Sequence, residues 1–127
     1  LITVDSFRWN PHGLTRRQHA HITRSVLGEA AEFHNIELRQ LDKQEFYTTY
    51  DGPAPGLVFL DANHGYESTR EDLLWACSAG AEIICGHDYC PRFPGVLRAV
   101  QECGGAAEVV GTVFVLGSDV RGNLAAH

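Results

Sequence analysis

The sequence predicts an α/β fold on a mostly parallel sheet, and three observations carry that prediction. Apolar, β-branched runs alternate with segments of helical periodicity. Three of those runs, LITVD, LVFLD and AEIICGHD, end in an acid. Two further short runs, either side of Gly111, read as an antiparallel hairpin at the carboxyl end. Strands that alternate with helices are joined by right-handed crossovers, which lay the strands parallel.

Taken in order, LITVD (1–5) reads as a buried strand that delivers Asp5 to the turn-rich stretch SFRWNPHG. From Thr15 to Phe33, Ile22, Val26, Leu27, Ala30 and Phe33 recur on one helix face, with Arg24, Glu29 and Glu32 opposite. IELRQL (36–41) alternates as a short strand, and Asp42 is placed to cap or turn the segment after it. After the break DGPAPG, LVFLD (57–61) is apolar without interruption, as strands buried on both faces of a parallel sheet are. Ser68 to Cys77 reads as a helix capped by Ser68 or Thr69, with Leu73, Leu74 and Trp75 for the core and Ala79-Gly80 closing it. AEIICGHD (81–88) is a third buried strand. PGVLRAVQECGG (94–105) is a helix with Pro in its first turn and two glycines past its end. EVVGTVFVLG (108–117) supplies the hairpin.

With 127 residues, 44% of them hydrophobic and 20% charged, the chain is sized for one domain spanning residues 1–127. No apolar run approaches the roughly 20 residues that span a bilayer, so no membrane partner is expected. A net charge of −6 with only ten Lys and Arg offers no basic stripe for a phosphate backbone, which excludes nucleic acid as the expected partner. Four cysteines without a CxxC pair fit reduced thiols in a cytoplasm better than a zinc site or a disulfide framework. The chain contains no methionine and begins as though already inside a strand, so a preceding segment is expected.

In an open parallel sheet, ligands bind beyond the carboxyl ends of the strands. The acids and histidines gather at that edge: Asp5, then Asp61 with His64, then His87 with Asp88. A strand-ending Asp often only caps the next turn. Two such clusters on neighbouring strands are a stronger signal. Asp61, His87 and Asp88 offer two carboxylates and an imidazole, a set suited to Mg²⁺ or another divalent metal, with added histidine favouring a transition ion. His64 reads as a ligand, a general base or a donor that steadies its loop.

The segment VFLDANHGYESTREDLLWACSAGAEIICGHDYCPRFPGVLRAV (58–100) resembles the class I S-adenosylmethionine-dependent methyltransferases. It is most similar to the branch with macrocin-type sugar O-methyltransferases and cephalosporin-hydroxylase-like proteins. The resemblance rests on Asp61, His64, Tyr66 and Glu67, on His87-Asp88-Tyr89, and on Pro94-Gly95-Val96. It extends more weakly from residue 1 to 117. It implies a Rossmann-like domain with S-adenosylmethionine as cofactor, Asp5 on the ribose and Asp42 near the adenine, with Asp61 also at the cofactor site. Asp61, His87 and Asp88 then match a metal site, with His64 or His87 as the catalytic base, and the reaction is O-methyl transfer to a small hydroxylated acceptor. In that family the sheet order is 3-2-1-4-5-7-6. Its first strand and glycine-rich loop have no counterpart here, and the expected consequences are weak cofactor binding by this chain, or none, and self-association into a homo-oligomer. The competing readings are a non-catalytic module that keeps the fold and self-associates, and metal-dependent hydrolysis or hydroxylation at the same acids.

Overall fold

The computed structural model describes residues 1–9, 12–33 and 35–117, with the side chain of residue 33 excepted. The chain divides into two compact units, Leu1–Asp51 and Gly52–His127.

In the first unit, β1 (Ile2–Val4) pairs in parallel with β2 (Glu37–Arg39), Val4 opposite Arg39. The ladder runs one step further, where the Asp5 amide donates to the Arg39 carbonyl at 3.1 Å. Helix α1 (Arg16–Phe33) makes the crossover. A reciprocal capping box starts it: the Gln18 amide donates to Thr15 Oγ1, and Gln18 Oε1 accepts from the Thr15 amide. The expected apolar face is not a buried one. Ile22 is 46% and Val26 80% exposed, and Gly28 (φ 17°, ψ −109°) breaks the helix into two segments. The unit's buried residues include Phe7, Ala20 and Phe46 instead, with the Phe7 ring edge-on to His19. Asp42 stands at the amino-terminal cap of a helix the pattern did not predict, α2 (Lys43–Thr49), but its side chain makes no cap bond. KQEFYTT is short and rich in strand-favouring residues; Phe46 anchors it, packed beside Tyr50 and under the Arg39 guanidinium.

The second unit contains β3 (Leu57–Leu60), α3 (Tyr66–Ser78), β4 (Ile83–Gly86), α4 (Pro94–Glu102), β5 (Ala106–Val110) and β6 (Val113–Leu116). Its sheet has the order β3-β4-β6-β5, in which β3 and β4 are parallel and β6 is antiparallel to both its neighbours. Gly111, at φ 63°, supplies the turn of the β5–β6 hairpin. The core is one face of this sheet against two helices: Ile84, Phe114 and Leu116 meet Leu73 and Ala76 of α3 and Val96, Ala99 and Val100 of α4. Pro94 opens α4, and Gly80, at φ 75°, comes just after the end of α3.

Two expectations change here. Gly65, not Ser68 or Thr69, is the cap of α3, which starts at Tyr66. Thr69 is buried inside the first turn, its hydroxyl donating back to the Gly65 carbonyl at 3.0 Å. LVFLD and AEIICGHD are not buried on both faces, since Leu57 is 56%, Phe59 52% and Ile83 47% exposed. Side chains alternate across a strand, so these three share the face opposite α3 and α4. The described residues thus form a mixed α/β protein with parallel pairing in both sheets and an antiparallel carboxyl-terminal hairpin. No helix among them is long and apolar enough to cross a membrane.

Candidate functional site

The parallel register of β3 and β4 sets Leu60 beside Gly86, and the His87 amide extends the ladder to the Leu60 carbonyl at 3.0 Å. Asp61 and His87 therefore leave their strands side by side. That close approach requires a glycine at 86, where a Cβ would lie 2.7 Å from the Leu60 carbonyl oxygen and 2.8 Å from the Phe114 ring. The next residue, Asp88, has φ 61°, in the left-handed region that Asp tolerates better than most side chains. This turn brings its carboxylate back over the site. Asp88 Oδ1 lies 3.1 Å from His87 Nδ1, and Asp88 Oδ2 lies 2.8 Å from His64 Nε2. Asp61 Oδ1 is 3.7 Å from His64 Nε2 and 3.9 Å from His87 Nδ1.

His64 reaches this point from the loop before α3. Asn63 Oδ1 accepts the Gly65 amide at 2.8 Å, and Thr69 Oγ1 ties back to the loop carbonyls. The His64 ring lies on Phe93, centroids 4.5 Å apart. From the other side, Gly95 at the start of α4 packs against the loop backbone; a Cβ there would lie 2.6 Å from the Tyr66 nitrogen and 2.7 Å from the His64 carbonyl oxygen. Pro94-Gly95 thus serves both to begin a helix and to seat the His64 loop.

One donor atom from each of Asp61, His87 and Asp88 can be chosen so that all lie within 4.8 Å of one another. His64 Nε2 is buried yet makes no hydrogen bond: its 2.8 Å approach to Asp88 lacks the alignment of one. A buried polar atom without a partner is costly, and such a group at a carboxylate cluster is poised for a ligand or a proton. A small open cleft lies over the cluster, lined in part by Asn63, Thr69, Asp72 and Val96.

No protein-family model, curated protein or solved structure matches this chain. Its chemistry is read from geometry.

Of the residues singled out in the sequence, Asp61, His64, His87 and Asp88 come together in the second unit. Asp5 and Asp42 come after β1 and β2 in the first, each at the carboxyl end of its strand. Asp5 Oδ1 accepts the Phe7 amide at 2.7 Å, the turn-capping role that a strand-ending Asp often has. Asp42 is ion-paired with Arg8, a residue that no sequence motif singled out. Two more participants were missed. Asp72 is 3% exposed and lines the cleft, although its place early in a helix reads as a dipole partner. Thr112, in the hairpin turn, lies 2.9 Å from His87 Nε2. Thr112 carried no local signal, because its contact lies across the sheet.

Proposed function

We propose that this chain is an S-adenosylmethionine-dependent methyltransferase domain that transfers a methyl group to a hydroxyl of a small acceptor, assisted by a divalent ion. The observation that carries the reading is the Asp61–His87–Asp88 cluster at the carboxyl ends of two neighbouring parallel strands, with His64 beside it. Strand order supports it. Each sheet taken by itself is compatible with a part of the class I order, β2-β1 with 3-2 and β3-β4-β6-β5 with 4-5-7-6.

The donor set fits a divalent ion, because two carboxylates and an imidazole converge and His64 Nε2 is left without a hydrogen bond. Asp61, His87 and Asp88 would hold the ion, which supplies a positive charge that lowers the pKa of an acceptor hydroxyl. Both ring nitrogens of His87 face partners, Thr112 at Nε2 and the acids at Nδ1. The proton of the acceptor hydroxyl therefore goes to His64 Nε2, and the resulting imidazolium is stabilised by Asp88 and Asp61. S-adenosylmethionine, when bound, would supply the methyl group and keep the sulfur–carbon electron pair as the neutral thioether, while His64 holds the acceptor's proton. On the cofactor side, Asp5 would take the ribose hydroxyls and Asp42 would lie near the adenine, and both come after adjacent parallel strands as such contacts require.

Calorimetric titration with S-adenosylhomocysteine tests the reading. Weak but saturable binding that Asp5→Ala removes is the expected result. Absence of binding at millimolar concentration, or binding indifferent to Asp5→Ala, would overturn it.

A further inference from the structure

We infer that Thr112, in the turn between β5 and β6, is a positioning residue that sets which nitrogen of His87 is the metal donor, and so the class of ion the site takes. The inference rests on the reading of Asp61, His87 and Asp88 as metal ligands. A neutral imidazole carries one N–H and one lone pair, and only the lone pair binds a metal. Thr112 Oγ1 lies 2.9 Å from Nε2, whereas Nδ1 faces Asp88 Oδ1 at 3.1 Å and Asp61 Oδ1 at 3.9 Å. A hydroxyl can accept the Nε2–H, which leaves the lone pair on Nδ1, the nitrogen on the side of the two carboxylates. Metal-bound histidines are held by an outer partner of this kind at the far nitrogen.

The placement of Thr112 is itself over-determined. Gly111 precedes it at φ 63°, in a two-residue connection between the paired Val110 and Val113. The Thr112 carbonyl accepts the Tyr89 amide at 2.9 Å. One turn residue is therefore bonded by its side chain to His87 and by its backbone to the residue after Asp88. The hairpin thus supplies the partner of Nε2 and, through Tyr89, holds the turn that carries Asp88 to Nδ1, on the far side of β4 from Asp61.

An imidazole nitrogen presented in this way discriminates among ions. Mg²⁺ is held by oxygen ligands and keeps its waters, while Mn²⁺, Co²⁺, Ni²⁺ and Zn²⁺ accept nitrogen readily. The site is thus built for a divalent transition ion in preference to Mg²⁺.

The test is a titration of the whole chain with Co²⁺, followed by its visible absorption, and with Zn²⁺ and Mg²⁺ by calorimetry. It uses the wild type, Thr112→Val, Thr112→Ser and Asp61→Asn. Tighter binding of Co²⁺ and Zn²⁺ than of Mg²⁺ is expected in the wild type. Thr112→Val, nearly the same shape but unable to accept a hydrogen bond, should weaken Co²⁺ binding by about 10- to 100-fold, and Thr112→Ser should restore it. Histidine ¹⁵N NMR of the Zn²⁺-loaded wild type, which needs no variant, should show His87 protonated at Nε2. A wild type that binds no ion would overturn both this inference and the ligand reading. Binding that Asp61→Asn abolishes but Thr112→Val leaves unchanged, or a loaded His87 protonated at Nδ1, would overturn the role of Thr112 alone.

Discussion

At residue 88 the backbone is in a conformation that costs an L side chain about 1 kcal/mol or more, and the carboxylate so placed touches both histidines of the cluster. Strain held at a polar cluster is the signature of a position shaped by function. Asp88→Asn separates the two contributions, since Asn tolerates the left-handed region equally but carries no charge. The expected result is an unchanged urea midpoint with loss of divalent-ion binding by calorimetry. The cysteines provide a second residue-level expectation. Burial raises the thiol pKa of Cys85, and burial foremost raises that of Cys103, with Cys77 adding to it. Raised pKa values leave little thiolate. Mass spectrometry after iodoacetamide treatment should find both unmodified in the folded protein and alkylated in urea.

At the scale of elements, α3 and α4 are joined twice, by the close seat of Gly95 and by a surface clasp. Gly95→Ala would force backbone apart at Tyr66 and His64, and a cost of about 1–3 kcal/mol is expected in chemical denaturation, the range for overpacking. In the clasp, the Tyr66 hydroxyl donates to Glu102, Arg98 Nε reaches the same carboxylate at 2.8 Å, and the Arg98 guanidinium lies over the Tyr66 ring at 4.0 Å. The Tyr66 bond first, and then Arg98, hold the Glu102 carboxyl below its ordinary value of 4.5. A depressed carboxylate contributes stability above the ordinary value and loses it as the pH falls through the folded-state value. The difference in urea midpoint between wild type and Glu102→Gln should therefore be largest near neutrality and shrink below pH 4.5. Tyr66 has the opposite sign. Its raised pKa, due chiefly to Glu102, keeps the clasp intact below 10.0 and releases it at higher pH. Arg98 and Glu102 are exposed and Tyr66 is only partly buried, so the effect is small and screened by salt.

For the whole molecule, the consequential surface is the sheet face opposite α3 and α4, where Leu57, Phe59 and Ile83 are about half exposed and Val110 is 67% exposed. β1 and β3 are also edge strands, each with a single strand partner among the described residues. Contiguous apolar surface and unpaired edges both favour association, and we propose a homo-oligomer. Light scattering at micromolar concentration should return a mass above the 14.0 kDa of one chain. Phe59→Lys, which places a charge on that face, should lower it. A monomeric wild type would sink the proposal.

The features legible in the bare chain were local ones. The strand runs, the Pro94 start and Gly80 end of helices, the Gly111 turn and the acids that end strands could all be read, because periodicity, fixed φ and glycine's positive φ act within a few residues. The helix 43–49 could not, since Phe46 stabilises it by a contact outside its own pattern. Nor could the exposure of Ile22 and Val26, because a periodic apolar face shows which residues share a side of the helix and not what, if anything, covers it. Exposure of Leu57 and Phe59 likewise depends on which face receives the helices. Asp61, His64, His87 and Asp88 could be named from their spacing, but their convergence could not. It depends on the register of β3 against β4, the left-handed turn at Asp88 and the seat of the His64 loop on Gly95. Thr112 is the extreme case, 25 residues from His87 along the chain and brought to its ring only by the hairpin. Folding in three dimensions settles these points because each depends on what lies across a strand or a helix, and that partner is distant in sequence.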